Sequence, residues 1–152
     1  MSLLAKERYV AMAAKLKASS LKSTPQRLAI MRVLAESKSH PGVDEICRRL
    51  RRRFPGISQA TVYRNIMLIK SLGEAVEIAL AGTGSRYDGR KPYPHPHIVC
   101  LECGKIIDPE LASLSDMTRE ITAASGFEIR TFRLDFFGTC PACRNVKSSK
   151  KS

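Results

Sequence analysis

The stretch SQATVYRNIMLIKSLGEAVEIALAGTGSRYD, residues 58–88, decides the expected fold of the front half of the chain. Ser58 is a typical helix N-cap and Gly73 a typical helix end, so the residues between them predict one helix. Apolar residues recur along this helix at helical spacing, which predicts a single buried face. That face consists of Val62, Ile66, Ile69 and Leu72.

A two-stranded ribbon is predicted directly after this helix. Residues 75–80 read as a strand, Gly82–Thr83–Gly84 as the turn, and residues 85–88 as the returning strand. A ribbon that follows a helix-turn-helix pair is typical of a winged helix. In that fold the second helix of the pair enters the major groove of DNA.

Three further helices are predicted upstream of residue 58. The second begins at Pro25 after the N-cap Thr24, and the third runs from about residue 43 to 54 and ends at Pro55–Gly56. The third helix carries five arginines opposite an apolar face, on which we expect Cys47 to be a small buried side chain. The predicted apolar face of the first helix consists of Leu3, Leu4, Val10, Ala14 and Leu16.

The charge of the chain favours a polyanionic partner. The 152 residues include 26 Lys or Arg and 14 Asp or Glu, which gives a formal net charge of +12. Residues 1–84 hold 15 of the basic residues and 6 of the acidic ones, so the front half is the more basic. No stretch is apolar enough for a membrane span or a signal peptide, and we expect a cytoplasmic protein.

The rear half predicts a small α/β unit. Strands at 97–100 and 105–108 flank the first cysteine pair, a helix marked by Leu111, Leu114, Met117 and Ile121 ends at Gly126, and residues 127–137 alternate like a strand. The expected organisation is α/β, with an N-terminal winged-helix DNA-binding domain over residues 1–90, hinge included. A C-terminal metal-binding dimerisation domain would cover residues 91–152, and both metal and dimer formation would support so small a unit.

Four of the five cysteines form two Cys-x-x-Cys pairs, Cys100 with Cys103 and Cys140 with Cys143. Two such pairs predict a tetrahedral four-sulfur site, which suits structural zinc because it leaves no open coordination position. Two disulfides or a redox pair are the alternative, which a reducing compartment disfavours.

The three histidines are less decisive by themselves. His95 and His97 are separated by one residue, so in an extended segment both side chains lie on the same side. Asp108 lies on the strand expected to pair with that of His97, whereas His40 and Asp88 belong to the front unit. Spacing alone leaves open whether these residues form a second metal site or are ordinary polar residues.

Longer motifs resemble those of the ferric uptake regulator family of metal-dependent repressors. The matching segments are TPQR at 24–27, HPGVDEI at 40–46, FPGISQATVYRNI at 54–66, SRYD at 85–88, HPHIVCLECGKIID at 95–108 and CPAC at 140–143. The resemblance covers most of the chain. It implies a homodimeric repressor, not an enzyme, that holds structural zinc and binds an operator in double-stranded DNA.

Within this family the sequence is most similar to the peroxide-sensing branch, whose regulatory site of three histidines and two aspartates holds Fe(II) or Mn(II). The resemblance assigns that site to His40, Asp88, His95, His97 and Asp108. It implies that peroxide oxidises His40 or His95 when iron is bound, that repression is then lost, and that the manganese form resists peroxide. Pro94 and Pro96 restrict the loop around His95.

The residues expected to contact DNA lie mainly at the start of the helix that follows Ser58, which is the recognition helix of the predicted winged helix. The arginines at 48–53 are additional phosphate candidates, or else a solvated face. The expected contacts are Lys15, Ser58, Gln59, Thr61, Tyr63, Arg64 and Asn65.

Three other functions stay open at this point. They are a repressor of the same family that senses iron, manganese or zinc without peroxide chemistry, a non-haem iron oxygenase, and a constitutive DNA-binding module with structural zinc alone. Because the regulatory ligands are divided between the two predicted domains, we expect a bound metal to set the spacing of two recognition helices in a dimer. Successive major grooves on one face of DNA are about 34–36 Å apart.

Overall fold

The computed structural model describes residues 1–80 and 84–149, with side chains up to residue 146. The chain divides into two compact units, Met1–Tyr93 and Pro94–Ser152. The predicted turn residues Gly82–Thr83 and the tail residues 150–152 lie outside the described residues. Among the residues described, no helix has the length and hydropathy needed to cross a bilayer. Helices and small sheets together confirm the predicted α/β class.

The described part of the first unit consists of helices followed by a hairpin. The elements are α1 (Leu3–Ala18), α2 (Pro25–Glu36), α3 (Val43–Leu50), α4 (Gln59–Ser71), β1 (Val76–Leu80) and β2 (Gly84–Asp88). β1 and β2 pair antiparallel, with Val76 opposite Asp88 at one end and Leu80 opposite Gly84 at the other. The hairpin after α4 is the ribbon that the sequence predicts.

Local signals place the helix ends. The Thr24 hydroxyl accepts a hydrogen bond from the backbone N–H of Arg27 (3.3 Å), and the Ser58 hydroxyl accepts one from Thr61 (3.1 Å). Each cap serves a backbone donor that the first turn of a helix cannot satisfy itself. Gly73 has φ 73°, a left-handed conformation that ends α4 at low cost.

The core of the first unit draws on all four helices. The predicted face of α4 is present, since Val62, Ile66 and Ile69 are fully buried, while Leu72 is half-buried. Cys47 is buried as predicted, and its thiol donates to the carbonyl of Ile57 (3.5 Å).

Two helix predictions in this unit are wrong. α3 ends at Leu50 and not at residue 54, because residues 51–53 are arginines with no apolar face to bury and form a turn. On α1 the buried positions are Ala5, Met12 and Leu16, which define the side that packs on α2. The predicted positions that prove exposed are Leu3, Leu4, Val10 and Ala14.

Gly89 follows β2 at a close approach of backbone to core. A Cβ at this position would lie 2.7 Å from Leu34 Cβ and 2.8 Å from Met12 Cε. Its carbonyl accepts a hydrogen bond from Arg8 Nε (2.7 Å). Arg8 also pairs with the buried carboxylate of Glu74 and donates to the Glu74 carbonyl (2.8 Å). α1 therefore holds the segment that follows β2.

We expect Gly89→Ala to lower the free energy of unfolding by about 1–3 kcal/mol, because overpacking forces core side chains and backbone to move. Gly56→Ala is the matched control, since nothing lies within 4 Å of a Cβ there. A change of less than about 1 kcal/mol is expected for the control. Urea unfolding followed by circular dichroism measures both, and equal stabilities of the two variants would contradict the close approach.

The second unit contains a small sheet and two helices in its described part. The elements are β3 (His97–Cys100), β4 (Ile106–Ile107), α5 (Leu114–Ser125), β5 (Asp135–Gly138) and α6 (Pro141–Ser149). The strand order is β4-β3-β5, and β3 runs antiparallel to β4 and parallel to β5. Gly126, with φ 72°, ends α5 as predicted.

Two predictions for the second unit are corrected. The strand expected over residues 127–137 is limited to Asp135–Gly138, because β3 offers only four residues for it to pair with. Phe127 is 71% exposed, which shows that this segment is not part of a buried strand. The sequence reading also missed α6, which begins with Pro141 at its first position.

The second unit buries little of its apolar surface. The buried aliphatic and thiol side chains among its described residues are Val99, Cys100 and Ile106, and α5 buries none of its residues. The predicted apolar stripe is therefore present on α5 at Leu114, Met117 and Ile121 but largely exposed, whereas the predicted position Leu111 lies before the helix begins. Exposed apolar surface on this scale marks an interaction site. The exposed large apolar residues include Leu101, Ile107, Leu111, Met117, Ile121, Phe127, Phe136 and Phe137.

Candidate metal centres and nucleic-acid interface

The two cysteine pairs come together at one end of the small sheet. Cys100 ends β3, and a tight turn leads through Cys103 to Gly104, which has φ 69° and donates to the Cys100 carbonyl (2.9 Å). The backbone N–H of Leu101 donates to the carbonyl of Gly138 (2.8 Å), which fixes the end of β5 beside this turn. The second pair follows β5 directly. As a result, the sulfur atoms of Cys100, Cys103, Cys140 and Cys143 all lie within 4.8 Å of one another.

The dimensions of this cluster fit zinc. A tetrahedron with zinc–sulfur bonds of about 2.3 Å has sulfur–sulfur edges of about 3.8 Å. The sulfur atoms of Cys103 and Cys140 are 3.8 Å apart. All five cysteines are free thiols, which counts against the disulfide alternative.

Backbone hydrogen bonds favour the thiolate form of Cys100 in this cluster. Backbone N–H groups, first that of Cys140 and then that of Cys103, lower the pKa of Cys100 from 9.0 to about 6. The N–H of Cys140 lies 3.3 Å from Cys100 Sγ. Hydrogen bonds with the sulfur atoms of Cys140 and Cys103 raise the pKa of Cys143 to about 12. Four thiolates so close together repel one another, and a divalent cation between them would offset this repulsion.

His40 and Asp88 face each other in the first unit. His40 has φ 50°, a left-handed conformation that costs a non-glycine residue about 1–2 kcal/mol. The next residue, Pro41, is fully buried, and its carbonyl accepts a hydrogen bond from the backbone N–H of Tyr87 (3.1 Å). This bond fastens the His40 loop to β2, so that His40 Nε2 lies 3.4 Å from Asp88 Oδ2.

The other carboxylate oxygen of Asp88 has a structural task. Oδ1 accepts hydrogen bonds from the backbone N–H groups two and three residues later, at 2.7 and 3.1 Å. The turn after β2 thus orients the carboxylate, with Oδ2 directed at His40. Both side chains are at least nine-tenths buried.

His95, His97 and Asp108 form a second group, within the second unit. Antiparallel pairing of β3 with β4 places Ile98 opposite Ile107 and so brings Asp108 beside the histidine segment. His95 Nε2 lies 3.6 Å from Asp108 Oδ1, and the two imidazole centroids are 4.4 Å apart. The ligand atoms of all three residues lie within 4.8 Å of one another.

The chemistry of both groups fits a hard or borderline divalent cation. They offer imidazole nitrogen and carboxylate oxygen without a thiolate, a donor set that suits Fe(II) or Mn(II). The atoms His95 Nε2, His97 Nε2 and Asp108 Oδ1 are screened from solvent. A cation held by these nitrogen and oxygen atoms would offset the cost of burying them.

The sequence reading missed a third carboxylate. Asp135 Oδ1 lies 3.2 Å from His97 Nδ1, because the parallel pairing of β3 with β5 sets His97 against Asp135. No motif marks this residue. To predict its contact with His97, one would have needed the register between two strands that are distant in sequence.

The start of α4 presents the side chains expected to contact DNA. Ser58, Gln59, Tyr63 and Arg64 are exposed on the side opposite the buried face, and Thr61 is half-buried. A groove of about 740 Å³ runs between α3, the start of α4 and β2. Its lining includes Arg48, Arg51, Gln59, Tyr63 and Arg86.

Asn65 and Lys15, two of the expected DNA contacts, are bonded to residues away from the start of α4. Asn65 Oδ1 accepts a hydrogen bond from Arg27 Nε (3.0 Å), and its Nδ2 donates to the Thr61 carbonyl (2.8 Å). Lys15 Nζ lies 3.0 Å from Glu74 Oε1, beyond the C-terminal end of α4. The structure therefore does not bring Lys15 together with the residues at the helix start.

A helical unit with a two-stranded wing, joined in one chain to a four-cysteine centre and to His/Asp donors, defines a metal-responsive transcription regulator. Residues 18–137 match the sequence model of the Ferric uptake regulator family. The chain belongs to this family, which confirms the resemblance noted from its motifs.

Known relatives agree with this assignment. The chain is 37% identical over 134 residues to the peroxide-responsive repressor PerR of Staphylococcus epidermidis, covering 86% of this chain and 87% of that protein. The Helicobacter pylori ferric uptake regulator Fur has a similar structure, with 24% identity, a TM-score of 0.80, and coverage of 95% and 97%. PerR from Streptococcus pyogenes matches with 29% identity, a TM-score of 0.52, and coverage of 89% and 92%.

Proposed function

We propose that this protein is a homodimeric repressor that binds operator DNA when Fe(II) or Mn(II) occupies its regulatory site, and that it senses peroxide through that site. The observation that carries the proposal is the donor set, three imidazoles and two carboxylates. His40 and Asp88 contribute one part of it, and His95, His97 and Asp108 contribute the other. The identity to a peroxide-responsive repressor supports the same reading.

The four cysteines would hold zinc in a structural role. Four thiolates complete a tetrahedral shell, so no position stays open for a substrate. The zinc would anchor the end of the sheet in a unit that buries few apolar side chains. A second copy of the chain would cover the exposed apolar surface of this unit and form the dimer.

The His40 loop links the regulatory site to the DNA-reading helices. Pro41 and Gly42 follow His40, and Gly42 is the N-cap of α3. A change in the position of His40 would therefore be passed to α3, which packs on α4. In a dimer, a ligand that favours one arrangement of this loop selects one spacing of the two α4 helices. The spacing that fits DNA is about 34–36 Å.

Bound Fe(II) would act as a one-electron relay between peroxide and a neighbouring imidazole, so that the two electrons that reduce peroxide come in the end from the ring. In the net reaction a ring C–H of His40 or His95 becomes a carbonyl, its hydrogen moves to ring nitrogen, and peroxide leaves as water. A ring nitrogen that has gained a proton offers no lone pair to a metal. The oxidised residue is then lost as a ligand, and the operator is released.

The test is peroxide treatment of the iron-loaded protein, followed by trypsin digestion and mass spectrometry. The peptide of residues 39–48 contains His40 as its only histidine, and the peptide of residues 91–105 contains both His95 and His97. We expect a gain of one oxygen at His40 or His95, localised by fragmentation, together with loss of operator binding. The manganese-loaded protein is the control, and its mass and its operator binding should both stay unchanged after peroxide treatment.

A different outcome would select another function. If the iron-loaded protein keeps an unchanged mass and still binds the operator after peroxide, peroxide sensing is wrong. Operator binding that follows metal concentration alone would then identify a repressor of the same family that senses metal availability.

A further inference from the structure

Asp135 is a carboxylate with a buried position and two defined contacts. Its side chain is only 9% exposed, and it accompanies His97, which is 7% exposed. One of its oxygens, Oδ1, lies 3.2 Å from His97 Nδ1. The other, Oδ2, accepts a hydrogen bond from Arg133 Nε. This hydrogen bond helps to orient the carboxylate, whose other oxygen faces His97.

Backbone pairing makes this contact a property of the sheet. In the parallel pair of β3 and β5, His97 is the partner of Asp135. The backbone N–H of His97 also donates to the carbonyl of Leu134 (3.0 Å). His97 and Asp135 are therefore aligned by main-chain hydrogen bonds on both sides of the side-chain contact.

This contact decides which nitrogen of His97 is available to a metal. A neutral imidazole has one N–H donor and one nitrogen with a lone pair. A carboxylate beside Nδ1 accepts the Nδ1–H and leaves the lone pair on Nε2. Asp135 itself does not belong to the group of ligand atoms formed by His95, His97 and Asp108.

We propose that Asp135 is a positioning residue, which holds His97 as the tautomer and in the orientation that present Nε2 to the regulatory metal. The inference rests on the proposed regulatory site, because it assigns the reason why His97 binds there. Asp135 contacts the metal ligand His97 but is not itself a metal ligand. Arg133 serves in turn to hold the carboxylate.

The test compares Asp135→Asn with the wild type, both loaded with zinc. Manganese affinity is measured from the free Mn(II) signal in electron paramagnetic resonance. We expect the variant to bind Mn(II) about 10–100-fold more weakly. Imidazole ¹⁵N shifts in the manganese-free protein should change from one tautomer of His97 to a mixture, which a merely structural role would not cause. At saturating Mn(II) the variant should bind the operator as tightly as the wild type.

Two further variants complete the test. Glu128→Gln removes the same charge from the same unit at a side chain that is 84% exposed, and it should leave both readings unchanged. Arg133→Gln keeps the Asp135 carboxylate but removes the hydrogen bond that orients it. Mn(II) affinity and the tautomer of His97 should therefore both change in the same direction as in Asp135→Asn, but less. Wild-type affinity and a single tautomer in Asp135→Asn overturn the inference. If Asp135→Asn loses its zinc, the test falls to Arg133→Gln, and a His97 tautomer unchanged from the wild type in that variant overturns the inference. Absence of Mn(II) binding by the wild type would instead refute the proposed function.

Discussion

Asp108→Ala is expected to abolish manganese-dependent binding to the operator. The substitution removes a carboxylate that lies 3.6 Å from His95 Nε2, and with it one of the hard oxygen donors that Mn(II) prefers. At a manganese concentration that saturates the wild type, operator affinity should fall by about 100-fold or more, toward the level of non-specific binding. Fluorescence anisotropy measures this at one fixed salt concentration, because the electrostatic part of binding depends on salt. The probe is a duplex selected from random-sequence DNA with the manganese-loaded wild type.

Two variants separate ligand loss from general damage. Asp116→Ala removes an aspartate that is 63% exposed and paired only with Arg119 among the described ion pairs, and it should leave operator affinity unchanged. Asp88→Asn keeps an oxygen for the backbone N–H groups of the turn after β2 but weakens the metal ligand, so it should behave like Asp108→Ala. If Asp108→Ala binds the operator like the wild type with and without manganese, the protein is a constitutive DNA-binding module.

Cys143→Ser is expected to unfold the second unit and to dissociate the dimer. The described part of this unit has few buried apolar side chains, so its folding depends on the metal. Binding of structural zinc contributes on the order of 10 kcal/mol to the folding of small metal-dependent domains. Zinc content by atomic emission and association state by sedimentation velocity measure the effect.

The matched control for this variant is Cys47→Ala. Cys47 is buried in the core of the first unit and has no part in the four-sulfur cluster. The control should therefore keep both its zinc and its dimer. A Cys143→Ser protein that retains one zinc per chain and sediments as a dimer would show that the cysteines are not needed for the fold.

Features that depend on near neighbours in sequence were predictable. The caps Thr24 and Ser58 and the helix-ending glycines Gly73 and Gly126 act within one turn of chain, so residue type alone locates them. The two cysteine pairs were readable for the same reason. Each Cys-x-x-Cys segment is local, and only the meeting of the two segments depends on the rest of the fold.

Features that depend on distant pairing were not predictable. His97 and Asp135 are 38 residues apart, and their contact follows from the register of two parallel strands. The length of β5 is likewise set by its partner β3 and not by the apolar alternation that extends back to Phe127. Lys15 was expected near DNA because it is basic, but its partner Glu74 lies beyond the C-terminal end of α4.

The exposed apolar stripe of α5 would make the stability of the proposed repressor depend on its concentration. In the proposed dimer this stripe is shielded only after two chains have met. A subunit without its partner would keep Met117 and Ile121 exposed, and exposed apolar side chains promote aggregation and degradation. By mass action, a fall in the total concentration of chain would then lower the concentration of dimer more than proportionally.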